Sequence, residues 1–338
     1  MDVKVLTDKD APDGTLEGSR IIILGYGNQG RPQALNLRDS GSNVAVAARR
    51  GGKAWKTAES DGFEVMEVRE GVAEADILMC LLPDEVQGKV YLKDIEPFLR
   101  DGSAICFAHG LAFTFGQIEP GSFDLIMVAP KGQGKALRTA YLEGSGLPCL
   151  LAVAHDRSGG ARGIALGIAE GLGCLRVGAF ETTFREEALS DLFGEQAILV
   201  GGVPALIKEA FDVLVEKGFS PEVAYFECMH ELKIIVDLLI VHGIAGMREV
   251  ISGTAAYGGL KYGEKLVTEE TAAVMREMFD RIESGEFARA WLKETAGGKK
   301  ELADMIGREK DLTIEKAGSE VRSLFTRRPE EQDNGGSR

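Results

Sequence analysis

The stretch Ile21-Ile-Ile-Leu24-Gly25-Tyr-Gly27-Asn-Gln-Gly30, followed by Ala34-Leu-Asn-Leu-Arg38, decides the fold. A short apolar, β-branched run ends in three glycines at G-x-G-x-x-G spacing, and a helix-forming segment follows directly. That context marks the opening of a βαβ unit built to hold a dinucleotide. Gly25 makes the turn, Gly27 lets the backbone approach a pyrophosphate, and Gly30 allows helix and strand to pack closely. The helix N-terminus then faces the anion. A tight strand-to-helix turn without a ligand is the bland alternative.

Working outward, further apolar runs recur at Asn43-Val-Ala-Val-Ala-Ala48, Ile77-Leu-Met-Cys-Leu-Leu82, Ala104-Ile-Cys-Phe107, Leu125-Ile-Met-Val-Ala129 and Cys149-Leu-Leu-Ala-Val-Ala154. Short apolar runs separated by helix-length segments are the pattern of a parallel sheet wrapped by helices. After about Phe180 the strand pattern stops, and helical segments are expected over 192–210, 221–241, 269–284 and 286–294. The chain therefore reads as α/β: a Rossmann-type doubly wound parallel sheet over 1–181, then an all-α domain over 182–326. Residues 327–338 are polar and too poor in apolar side chains to fold, which predicts a disordered tail.

Composition narrows the function. With 39 Lys+Arg against 53 Asp+Glu in 338 residues, the net charge is −14. Such a chain repels polyanions, which argues against nucleic-acid and anionic-membrane partners and for a small-molecule substrate. Its 44% apolar residues suffice for real cores. Cys80, Cys106, Cys149, Cys174 and Cys228 show no C-x-x-C spacing and lie mostly in apolar runs, as reduced buried thiols of a cytoplasmic protein do.

The second expected strand ends Ala47-Ala-Arg49-Arg50-Gly-Gly-Lys53, without the acid that would take the ribose hydroxyls of NAD. Three cations there favour a 2′-phosphate, hence NADP(H) over NAD(H). In the helical half, two pairs of carboxylates stand at i, i+4: Asp191 with Glu195, and Glu227 with Glu231. Like charges at that spacing oppose a helix unless something offsets them. At 100° per residue the second pair continues the apolar face of Ile234 and Leu238, which predicts that it points inward. Four inward carboxylates suit a hard, oxygen-preferring cation such as Mg²⁺; solvated acidic pairs are the alternative.

Taken in order, seven segments also resemble the motifs of short-form ketol-acid reductoisomerases. They are Gly25-Tyr-Gly-Asn-Gln-Gly30, Leu81-Leu-Pro-Asp-Glu85, Phe107-Ala-His-Gly110, Ala129-Pro-Lys-Gly132, Asp191-Leu-Phe-Gly-Glu-Gln196, Tyr225-Phe-Glu-Cys-Met-His-Glu-Leu-Lys233 and Ile251-Ser-Gly-Thr254. The resemblance implies Mg²⁺-dependent alkyl migration in 2-acetolactate or 2-aceto-2-hydroxybutyrate, followed by reduction with NADPH, on the route to branched-chain amino acids. By the same resemblance Asp191 bridges two Mg²⁺ ions, Glu195 joins one, and Glu227 and Glu231 come from the partner subunit of a homodimer or larger oligomer. Ser252 holds the substrate carboxylate beside Asp191, Glu195 and Glu231. Lys131 and His109 line the reaction centre, and Glu195 or Glu231 relays a proton. The cofactor is expected against Gly25, Tyr26, Gly27, Asn28, Gln29, Gly30, Arg49, Arg50, Lys53, Leu82, Pro83, Asp84, Gln87, His109 and Gly134.

The chain departs from the family pattern around these anchors. Arg31-Pro32 stands where His-Ala is usual, and Leu111-Ala-Phe-Thr114 replaces Phe-Asn-Ile-His. Ala188-Leu-Ser190 replaces Thr-Glu-Thr, and Gly253 and Ala256 replace Asn and Glu. Gly52 and Ala54 take the place of two hydroxyl residues in the 2′-phosphate loop. These changes cluster beside the site, as they would in a family member acting on another α-ketol or a vicinal diol, cyclopropanol formation from a sulfonium diol being one example. A non-catalytic nucleotide-binding subunit would leave the four carboxylates and Lys131 unexplained.

Overall fold

The computed structural model describes residues 4–326. The tail expected at 327–338 lies outside the described residues. Among them no helix is long and apolar enough to cross a membrane.

The strands are β1 (Val5–Leu6), β2 (Arg20–Leu24), β3 (Asn43–Ala47), β4 (Val65–Met66), β5 (Ile77–Cys80), β6 (Ala104–Phe107), β7 (Asp124–Pro130), β8 (Cys149–His155) and β9 (Ala179–Glu181). They form one sheet in the order β1-β9-β8-β7-β6-β5-β2-β3-β4. From β4 to β7 all pairings are parallel. Their residues alternate between two cores. Ile21, Ile23, Met79, Cys106 and Val128 face one, with Leu37, Leu137 and Ala165 from helices Gly30–Asp39, Gly134–Leu142 and Ala161–Gly171. Ile22, Leu24, Leu78, Phe107 and Met127 face the other, with Val72, Ile95 and Ala112. Burial on both faces is why these strands read as unbroken apolar runs.

Two features differ from a purely parallel sheet. β8 runs antiparallel to β7, and β1 antiparallel to β9. An apolar run encodes burial but not direction, and β1, β4 and β9 are too short to produce a periodic signal.

The chain divides into two compact units after Asp191, inside helix Phe184–Gly194 and later than the boundary expected at 181/182. The first turns of this helix belong to the sheet unit because Phe184 is buried in the second core, edge-on to Phe107 and Phe113. The described residues of the second unit form helices and no strand, with a small core of Phe211, Ala224, Tyr225, Ile314, Ala317 and Val321. Cys80, Cys106, Cys149 and Cys174 are buried and Cys228 is partly buried, all as free thiols. Burial pushes the Cys80 and Cys106 thiols up to about 12.

Candidate active site and dinucleotide turn

The carboxyl ends of the parallel strands converge on three loops. The glycine turn follows β2, the loop beginning at Leu81 follows β5, and the segment from Lys131 follows β7. A Cβ on Gly25, whose φ is +103°, would stand 2.6 Å from the Leu81 carbonyl oxygen. One on Gly30 would fall 1.8 Å from the Gly25 oxygen, and one on Gly134 1.8 Å from the Asn28 oxygen. Only glycine permits these backbones to touch. A Cβ on Gly27 would meet nothing within 4 Å, so that face of the turn is open to a ligand. Gln29 Nε2 donates to the Gly132 carbonyl at 3.1 Å, joining the turn to the Lys131 loop. Gln87 is buried; its Nε2 donates to the Leu82 carbonyl at 2.8 Å and to Asp84 Oδ1 at 3.1 Å. Its Oε1 is a buried acceptor without a partner, and a buried orphan of this kind calls for a ligand or water. Pro83 caps the helix Asp84–Val90.

After β3, Arg50 is engaged: its Nε donates to Glu67 Oε1 at 2.7 Å, and its guanidinium lies over Trp55 at 5.7 Å. Arg49 and Lys53 are exposed, and no ion pair to either occurs among the described residues.

His109 follows β6, Lys131 follows β7, and both reach helix Phe184–Gly194. Gly110 makes that approach possible, since a Cβ there would stand 2.4 Å from the Phe184 carbonyl oxygen. Glu187, with a fully buried side chain, is the hub. Its Oε2 accepts from the Gly110 N–H at 2.8 Å and lies 2.9 Å from His109 Nδ1, while its Oε1 accepts from Lys131 Nζ at 2.8 Å. Lys131 Nζ also donates to Asp191 Oδ1 at 2.8 Å, and Asp191 Oδ2 lies 3.8 Å from His109 Nδ1.

Burial alone would raise the Glu187 carboxyl, but the His109 hydrogen bond and the charges of His109 and Lys131 outweigh it and hold it below the usual range. Desolvation likewise opposes charge on His109, yet the hydrogen bond to Glu187, with the charges of Glu187, Asp84 and Asp191, pushes the imidazole up to about 9. Lys131 is raised in the same way, desolvation being exceeded by Glu187 and Asp191. Asp84 is raised mainly by burial. The site is thus a partly desolvated set of opposed groups, with Lys131 as a donor to Glu187 and Asp191 and the His109 imidazole turned through Nδ1 onto Glu187.

Glu187 escaped the sequence reading. Its signal is in the sequence: Glu187, Asp191 and Glu195 form an unbroken i, i+4 series. Ligand atoms of His109, Glu187 and Asp191 lie within 4.8 Å of one another. Glu187 is fully buried with both oxygens engaged, so Asp191, with a side chain 31% exposed, is the member able to offer an oxygen outward. An oxygen donor in a partly dry site fits a hard divalent cation.

The other expected ligands lie in the helical unit. Glu195 opens a π-helical segment, Glu195–Leu199, Glu227 lies in a second, Phe226–His230, and Glu231 caps the latter. Single π turns inside α-helices occur often at functional sites. Within one chain the side chains of Glu227 and Glu231 are exposed, and so is Ile234, whose apolar face they were expected to continue. Ser252 is the N-cap of helix Gly253–Leu266, its hydroxyl accepting from the Ala255 N–H at 3.2 Å.

The sequence profile described as "Acetohydroxy acid isomeroreductase, NADPH-binding domain" matches residues 15–178, and that described as "Ketol-acid reductoisomerase, C-terminal domain" matches 184–327. The chain is 49% identical to the ketol-acid reductoisomerase (NADP(+)) of Pyrobaculum islandicum, over 97% of this chain and 99% of the relative. It is also 49% identical to that of Pyrobaculum neutrophilum, over 95% and 99%. An NADH-preferring ketol-acid reductoisomerase from an uncultured archean superposes with a TM-score of 0.92 at 42% identity, covering 96% of this chain and all of that one. An NAD-binding semialdehyde dehydrogenase protein from Cupriavidus necator, 18% identical with a TM-score of 0.63, shares the fold alone.

Proposed function

Since the chain belongs to the short-form ketol-acid reductoisomerase family, we propose that it rearranges 2-acetolactate or 2-aceto-2-hydroxybutyrate by alkyl migration and reduces the product to a dihydroxy acid with NADPH and Mg²⁺. The observation that carries this reading is the cluster of His109, Lys131, Glu187 and Asp191 at the carboxyl ends of the strands beside the glycine turn. In open α/β sheets that crevice is where ligands bind.

Migration requires a ketone to be polarised while the neighbouring hydroxyl loses a proton, and two bound Mg²⁺ ions supply Lewis acidity for both. Asp191 and Glu195 would hold the metal from one chain, with Glu227 and Glu231 contributed by the partner's copy of the helical unit. Lys131, already poised on Asp191, stabilises the alkoxide charge that develops during migration. Glu187 fixes the Lys131 ammonium and the His109 ring, so neither pays an orienting cost at the moment of reaction. Glu195 or Glu231 moves the proton between substrate hydroxyl and solvent, and the Ser252 hydroxyl, which keeps a proton to donate, holds the substrate carboxylate.

NADP(H) suits the ribose end because Arg49 and Lys53 are unpaired cations there and no acid takes their place. A second copy of the chain is supported by exposure. Ile240, Val241 and Ile244 of helix Leu232–Val250 are 78%, 73% and 69% exposed, and apolar patches of this kind mark interaction surfaces. The test is a Mg²⁺ titration with 2-acetolactate and NADPH: turnover appears with the ion, disappears with a chelator, and is lost in Asp191→Asn. Metal-independent turnover would contradict the reading.

A further inference from the structure

Tyr26 lies within the glycine turn and Arg31 directly follows it, and one carboxylate holds both. Asp61 Oδ2 accepts from the Tyr26 hydroxyl at 2.8 Å and from Arg31 Nε at 2.6 Å, while Oδ1 accepts from Arg31 Nη2 at 2.9 Å. The Asp61 backbone carbonyl accepts from Arg38 Nη1 at 2.7 Å, so the helix that starts at the turn is tied down twice. Phe63 completes the contact, with the Tyr26 ring edge-on at 5.8 Å and the Arg38 guanidinium over its face at 4.6 Å. The Asp61 side chain is only 14% exposed.

Position gives this arrangement its meaning. Asp61 is the C-cap of helix Lys53–Ser60, which begins immediately after the cationic segment Arg49–Gly52. One carboxylate therefore links the start and the end of the pyrophosphate turn to the element that carries the ribose end. The turn itself is built from glycines, which lose more conformational freedom on ordering than any other residue. A side chain at Gly27 would pack against nothing within 4 Å; what holds this point is its carbonyl, which accepts from the Arg31 N–H at 3.1 Å. A fork-to-fork Arg31–Asp61 pair fixes orientation as well as distance, and a turn ordered before binding costs less to order during it.

We propose that Asp61 is a positioning residue for the cofactor: through Tyr26 and Arg31 it presets the pyrophosphate turn, raising affinity for the dinucleotide without touching it. The proposal rests on the reading that this turn takes NADP(H). It also assigns Arg31 to Asp61 and not to the pyrophosphate. An Arg31 that served the phosphates directly would be released by loss of Asp61, and binding would tighten.

The test is NADPH affinity of the full-length protein, followed by fluorescence of the reduced nicotinamide, alongside steady-state turnover. Asp61→Ala is expected to raise the Kd and the KM for NADPH about tenfold, the loss of several hydrogen bonds to a charged group. Its kcat at saturating NADPH and its KM for the ketol acid stay at the wild-type values, a split that general loosening of the fold would not give. The double variant Arg31→Ala/Asp61→Ala should match Asp61→Ala alone, because the two residues act as a unit. Unchanged or tighter binding in Asp61→Ala, or independent effects in the double variant, overturns the proposal. If Asp61→Ala does not fold, Tyr26→Phe keeps the Arg31 pair and removes one hydrogen bond; a Kd about threefold higher supports the proposal, and an unchanged Kd overturns it. Absence of NADPH binding by the wild-type protein would refute the cofactor reading and this proposal with it. Equal binding by wild type and variant refutes the proposal alone.

Discussion

Lys131 Nζ stands 2.8 Å from Glu187 Oε1, and the carboxylate it meets is fully buried. The same carboxylate takes the His109 ring and the Gly110 N–H. Glu187 is thus the member of the cluster that faces protein on every side, and it orients the two cationic groups that face the reaction.

Replacing Glu187 separates positioning from folding. Glu187→Gln keeps the shape but removes the charge that holds Lys131 and His109, and misplacement of such groups by about 1 Å costs on the order of 10²-fold in rate. We expect kcat to fall by about that factor, with a smaller loss of stability than in Glu187→Leu, because the amide oxygen still accepts from one side of the cluster while its NH2 faces a donor on the other. Glu187→Leu strands the buried Gly110 N–H and two cations, and should cost about 3 kcal/mol of stability as well. Activity of Glu187→Gln within twofold of wild type would remove Glu187 from the site.

Gly110→Ala tests the close approach of strand end and helix. The added methyl would overlap the Phe184 carbonyl oxygen, which belongs to backbone and cannot rotate away. Overpacking of this kind costs about 1–3 kcal/mol, so the thermal midpoint should drop by several degrees and activity should fall further than stability does. A variant with wild-type midpoint and activity would show that helix and strand end are free to separate.

At the ribose end, Arg49→Ala with Lys53→Ala should raise the KM for NADPH by about tenfold or more while moving the KM for NADH little, since one phosphate contact by each cation is lost only with the phosphorylated cofactor. Arg50→Ala should do less, because Glu67 already takes its Nε. Equal effects on both cofactors would move 2′-phosphate recognition elsewhere.

The central sheet and the glycine turn were legible in the sequence because burial on both faces leaves an apolar run and because touching backbones demand glycine at fixed places. Gly25 and Gly30 are restricted by the contacts that the motif predicts. What the sequence hid has physical causes as well. The antiparallel course of β8 depends on a connection, which no apolar run records. Glu187 reads as one more acid among many until the fold brings His109 and Lys131 against it from distant strands. Glu227 and Glu231 stand exposed together with Ile234 in one chain, and no pattern of residue types tells a face buried by the chain's own fold from one left for a second copy. The fold of one chain leaves both glutamates exposed.

That exposure yields a prediction about assembly. If Asp191 and Glu231 serve one site from different chains, Asp191→Asn and Glu231→Gln are each inactive alone, yet a mixture refolded or coexpressed regains up to about a quarter of wild-type activity. Half of the dimers are then mixed, and each mixed dimer keeps one intact site. No recovery on mixing, with mixed dimers present by native mass spectrometry, would place all four carboxylates within one chain.

The most direct measurement is the oxidation of NADPH by purified protein supplied with 2-acetolactate and Mg²⁺, with the product identified by mass. Family membership and the Lys131–Glu187–Asp191 cluster together predict one NADPH consumed per dihydroxy acid formed, and none by Asp191→Asn. Binding of NADPH and Mg²⁺ without conversion of either 2-acetolactate or 2-aceto-2-hydroxybutyrate would contradict it.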